Sequence, residues 1–182
     1  MIAVQILTLL TLAVIFIQDL VYRGVYWILF PILAILLITL RLQYQPLADI
    51  VLSLEINLGV LLVEFMLLTL YFSVKYRRRL NLTQGWLCVG DLFFLAVCAI
   101  YLPLLNFMLF YLVSLIAVII IWKIHLTVVK TTEVRIPLAG LQGLLLGIVL
   151  SVCWWVWHFN ITADYRLVHF YYKASKLQMH LF

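Results

Sequence analysis

An all-α polytopic membrane protein, a bundle of about six transmembrane helices, is the fold class this sequence predicts, and three observations carry the prediction. Of its 182 residues, 68% are hydrophobic and 10% charged, and the mean hydropathy is +1.21; soluble domains stay near roughly 45–50% apolar because they have too little interior to hide more. Apolar runs of about 20 residues recur, each long enough to cross a hydrocarbon core of about 30 Å. The breaks between them are short and hold most of the charge.

Six spans follow: 2–18, 25–41, 47–74, 85–102, 104–123 and 137–158. The first begins at Met1 with no basic residue before it and no A-x-A site, so it reads as a retained span rather than a signal peptide. DLVYRG (19–24) ends it with charges and a glycine, and RLQYQP (41–46) ends the second. KYRRRLNLTQ (75–84) is the most polar stretch and closes the third. Pro103 separates spans four and five, where one kinked hairpin is the alternative. Pro137 suits the first turn of span six, where its missing N–H is no loss. Residues 1–160 form one membrane core. In the tail, 161–182, Tyr165, Val168 and Tyr172 mix with His169 and Lys173 in a loose amphipathic pattern that suits an interfacial helix.

Lys and Arg set the orientation. Odd-numbered loops hold Arg23, then Lys75, Arg77, Arg78 and Arg79, then Lys123, Lys130 and Arg135; the even loops hold Arg41 alone. Loops one, three and five are therefore expected in the cytoplasm. Arg166, Lys173 and Lys176 of the tail fall on the other side, but the three loops outvote them. WWVWHF (154–159) fits an aromatic belt at the outer interface.

The net charge of +5 is spread over short loops facing lipid headgroups, so membrane lipids, not nucleic acid, are the expected partner. Cys88, Cys98 and Cys153 sit in apolar segments without a CxxC pair and read as small apolar fillers. His125, His158, His169 and His180 have no ligand spacing, so no metal and no cofactor is expected.

A carboxylate at the centre of a span costs about 2.5–3.5 kcal/mol on insertion scales, so each one calls for a reason. Asp49 and Glu55 lie toward the outer end of span three and read as interfacial; Glu64, near its middle, is either a hydrogen-bonded packing residue or part of a proton relay. Asp19 and Asp91 differ because topology brings them to one side. Asp19 ends span one, and Asp91 lies about two turns into span four from the same face. Two adjacent carboxylates share a proton, one ionised to activate water and one protonated to donate, which is aspartyl protease chemistry. Helix-end capping or buried polar packing is the other reading of the same residues. Arg23, four positions after Asp19, is either an interfacial ion-pair partner or a cation that tunes the aspartate or grips substrate. Gly90 leaves room for a neighbouring helix or a substrate backbone. Ala139, Gly143, Gly147 and Ser151 recur every four residues in span six, the pattern of a tight helix seam in lipid.

Three of these stretches, in order, resemble the prepilin and preflagellin peptidases, the prokaryotic GxGD-type aspartyl proteases of the membrane. DLVYR carries the D-x-x-x-R element with Asp19 and Arg23, CVGD stands for GxGD with Gly90 and Asp91, and IPLAGLQG (136–143) resembles the proline-containing opening of the last span. Cys88 replaces the first glycine, Phe93 stands where lysine is usual, Val25-Tyr26-Trp27 replaces isoleucine-proline-asparagine, and the paired CxxC motifs of the N-methyltransferase half are missing. The resemblance implies that Asp19 and Asp91 are catalytic and that Arg23, Gly90, Pro137 and Gly140 support or position substrate. It further implies a multi-pass protein of a prokaryotic inner membrane that cuts the basic leader from pilin-like precursors at the cytoplasmic face. KYRRR is then a topology determinant, and Glu133 is the nearest acidic group for a basic leader. From other classes, a small proton- or ion-coupled transporter using Glu55, Glu64 and Asp91, or an inactive membrane scaffold, remain open at this stage.

Overall fold

The computed structural model describes residues 1–76, 89–129, 136–158 and 160–162. Cys88, Glu133, most of KYRRR and the tail beyond Thr162 lie outside the described residues. Within them the chain is an all-α membrane protein: α1 Ile2–Tyr22, α2 Leu29–Arg41, α3 Leu47–Tyr76, α4 Val89–Tyr101, α5 Leu104–Val129 and α6 Leu138–Ser151, with a π-helical turn Val152–Val156 after α6.

Four of these segments are long and apolar enough to span a bilayer: Ile2–Tyr22, Leu47–Lys75, Leu104–Thr127 and Leu138–Val156. Helix α2 differs from the expected span: it has 13 residues, about 20 Å at 1.5 Å per residue and short of a full hydrocarbon core, while the described part of α4 begins at Val89, directly after residues outside those described. They lie against one another inside the bundle, where Leu33, Leu37, Phe94 and Cys98 are fully buried. The hairpin question at Pro103 resolves into two helices. Leu102 closes α4 by donating its N–H to the Cys98 carbonyl at 2.9 Å, and Pro103 opens α5 by accepting from the Phe107 N–H at 2.8 Å.

The most extensive interface is that of α1 with α6, and the small-residue ladder makes it. A Cβ at Gly143 would meet Phe94, Ile15 and Leu12 at 3.6–3.9 Å, and one at Gly147 would meet Leu12 and Leu9 at 3.8 Å. The missing side chains let α1 lie directly on the α6 backbone. At the far end of α6, Trp155 and Trp157 are exposed, and Tyr22, Tyr26 and Trp27 are exposed near the opposite end of the bundle, so aromatic residues flank both ends of the apolar band. Cys98 and Cys153 are buried among apolar neighbours.

The polar residues of span three sort by depth. Asp49, in the first turn of α3, and Glu55 are exposed, whereas mid-helix Glu64 accepts a hydrogen bond from the Tyr111 hydroxyl of α5 at 3.0 Å. Asn57, fully buried, donates through Nδ2 to the carbonyls of Ala99 at 3.0 Å and Leu102 at 2.8 Å. Its neighbour in function is Arg41, which the charge count treats as a loop cation and which is in fact fully buried. Its Nε donates to Gln45 Oε1 and its Nη2 to Ser53 Oγ, both at 2.8 Å, while Nη1 donates to the Ile100 carbonyl. Gln45 continues outward to the Thr162 carbonyl at 2.7 Å, and Asn106 reaches the Ile161 carbonyl at 2.8 Å. Arg41 and Asn57 thus answer carbonyls at the end of α4 that no further helical turn can satisfy.

Candidate active site

The first three N–H groups of α6 explain the site. Pro137 precedes the helix and has no side-chain acceptor to cap it. Leu138 turns back locally, donating its N–H to the Ile136 carbonyl at 2.9 Å. The next two amides have no helical partner, and each finds a carboxylate from another part of the chain. Ala139 N–H donates to Asp91 Oδ1 at 2.8 Å, and Gly140 N–H donates to Asp19 Oδ2 at 2.6 Å. Two aspartates 72 positions apart in sequence therefore rest on adjacent amides of a third segment.

Both carboxylates are withdrawn from the surroundings, Asp19 at 6% and Asp91 at 5% exposure. Asp19 comes from the last turn of α1 and Asp91 from the first described turn of α4. The positive end of the α6 dipole lies under both, which favours negative charge there.

Gly140 is the close-approach glycine of the site. A Cβ built on it would lie 2.7 Å from Asp19 Cβ and 3.0 Å from Oδ2, well inside contact distance. The sequence places that need at Gly90 instead, but a Cβ there would meet just Phe30 Cζ, at an ordinary 3.7 Å. Phe93 is half-exposed and lies tilted against Phe30 at 5.8 Å between ring centroids. One turn into the membrane from the dyad, Gln142 is fully buried and donates through Nε2 to Ser114 Oγ of α5 at 3.2 Å.

Arg23 does not continue α1. It adopts φ 55°, ψ 32°, with its N–H bonded to the Asp19 carbonyl at 3.1 Å. The helical i, i+4 face-sharing expected for the pair therefore does not apply. Its guanidinium carbon lies 5.0 Å from the ring centroid of Trp122 in α5. Sequence reading missed Trp122, because α5 is apolar all round and its pattern does not say which face meets the turn at Arg23.

The arrangement can hold two carboxyl groups side by side, partly shielded from water, on preorganised N–H donors. Searched against models of protein families, curated proteins and solved structures, the chain matches none of them.

Proposed function

We propose that the protein is an aspartic endopeptidase of the membrane, cutting the leader from pilin-like precursors near the cytoplasmic face of a prokaryotic inner membrane. The observation that carries this reading is the seating of Asp19 and Asp91 on adjacent α6 amides. Capping a helix takes one acceptor, and neutral Ser, Thr or Asn serves as well as Asp. Gathering two buried carboxylates at one helix end is electrostatically unfavourable unless they share a proton, and a shared proton is what hydrolysis of a peptide bond uses.

In the proposed reaction the ionised carboxylate takes a proton from water as its oxygen bonds to the scissile carbonyl carbon. The protonated partner donates to the carbonyl oxygen, and collapse of the tetrahedral intermediate breaks the C–N bond and sends a proton to the leaving amine. The α6 amides fix the carboxylates, so no reorganisation is needed at the moment of attack. The resemblance of the three sequence elements supplies the substrate class, a short basic leader joined to a hydrophobic helix.

The test is co-expression with candidate pilin-like precursors, comparing the wild type with Asp19→Asn and Asp91→Asn. Each substitution is expected to lower leader removal at least about 100-fold, the usual scale of a general acid or base. Leader removal that survives either change sinks the reading.

A further inference from the structure

Resting on the peptidase reading, a further role follows from the end of α1. Arg23 is a non-glycine residue held at φ 55°, a left-handed conformation that costs an ordinary side chain of order 1 kcal/mol or more and persists where surroundings over-determine it. Two contacts do so. One is the backbone bond to the Asp19 carbonyl, at 3.1 Å. The other is the indole of Trp122, 5.0 Å below the guanidinium. Trp122 is 6% exposed and stacks on His125 three residues on, with 5.1 Å between ring centroids. It is a fixed surface, packed in α5, not a mobile side chain that happens to lie near a cation.

We infer that Trp122 is a positioning residue: its ring holds the Arg23 guanidinium where the positive charge serves Asp19 during the reaction. A helix that simply continued past Tyr22 would carry Arg23 along α1; the left-handed turn instead delivers it to α5. The face of an indole attracts a guanidinium through its quadrupole, an attraction an aliphatic side chain of similar bulk lacks. Trp122→Leu therefore keeps apolar volume while removing the hold, and Trp122→Phe keeps a ring.

The experiment measures leader cleavage by purified protein, with kcat and KM separated, for wild type, Arg23→Gln, Trp122→Leu, Trp122→Phe and the Arg23→Gln/Trp122→Leu double variant. Asp19→Asn is the control, and thermal unfolding checks that each variant is folded. Trp122→Leu is expected to lower kcat roughly 3- to 30-fold with KM little changed, the range of a cation–π contact. Trp122→Phe recovers most of that loss, and Trp122→Leu adds nothing to Arg23→Gln. Equal kcat for the Leu and Phe variants, a loss confined to KM, or additive effects in the double variant each overturn the inference while leaving the peptidase reading intact. Wild-type cleavage that Asp19→Asn does not reduce overturns the peptidase reading, and this inference falls with it. Should Trp122→Leu fail to fold, Trp122→Met takes its place: a lowered kcat at unchanged KM that Trp122→Phe largely recovers supports the inference, and wild-type kcat in Trp122→Met overturns it.

Discussion

At Gly140 a single hydrogen atom in place of a methyl group decides whether Asp19 can reach its amide. A Cβ there would stand 2.7 Å from Asp19 Cβ, so Gly140→Ala must push the carboxyl off the α6 N-terminus. Displacements of about 1 Å at a reacting group cost on the order of 100-fold in rate, and that is the expected loss of cleavage in Gly140→Ala, with the protein still folded. Gly90→Ala, which adds a contact at an ordinary 3.7 Å, is expected to keep near-normal activity; kcat for the two variants side by side checks the contrast. The two aspartates were legible in the sequence because a charge in an apolar run is conspicuous and the loop cations fix its side. Gly140 was less so. Several glycines and small residues crowd the start of α6, and which of them touches a carboxyl depends on helix rotation, which an all-round apolar sequence does not encode.

Among elements, the short helix α2 carries the largest difference from the expected spans. It packs on α4, at whose C-terminal end Leu102 and Pro103 stop the helix and Arg41 and Asn57 donate to the carbonyls of Ile100, Ala99 and Leu102. Arg41→Met keeps much of the apolar stem but strands the Ile100 carbonyl and takes the donor from Gln45 Oε1 and Ser53 Oγ. It is expected to lower stability by about 2–4 kcal/mol, given the usual worth of hydrogen bonds to a charged donor, and thermal unfolding in detergent would show it. Asp49→Asn, on an exposed side chain in the first turn of α3, is expected to leave the unfolding temperature unchanged. The sequence reads Arg41 as an interfacial cation because a lone arginine beside glutamines looks solvated. Its burial comes from partners on α3 and α4 that are close in space and distant in the chain. The α6 ladder, by contrast, was readable, since spacing by four places small residues on one face whatever the partner. Alanine at Gly143 or Gly147 would make contacts of 3.6–3.9 Å and is expected to be tolerated. Leucine at either position would wedge α1 from α6 at about 1–3 kcal/mol.

For the molecule as a whole, the candidate site lies at one end of the bundle and the Arg41 cluster at the other. The turn after α1 and the turn after α2 therefore lie at opposite ends of the bundle. By the count of loop cations the first is expected at the cytoplasmic face. A cysteine at Gly24, whose Cβ position is open, is expected to react with an impermeant maleimide only after spheroplasts are opened. One at exposed Gln43 is expected to react in intact spheroplasts. Both are placed in a Cys88→Ser background, and the reverse pattern would put the aspartates outside. The all-α class and the position of the carboxylates at one end were readable from composition and loop order. The pairing of helices was not, because in lipid it depends on shape and on a few polar contacts instead of on an amphipathic stripe.

Ribosomes make this chain from one end, and the aspartates leave the ribosome well before their shared seat does. Asp19 and Asp91 are already in the membrane when the amides of Ala139 and Gly140 are still to be synthesised. Until α6 inserts, the two carboxyls have no common platform. Helix α6 is thus the element that completes the site, and a chain interrupted before Pro137 holds both carboxyls and neither of their seats.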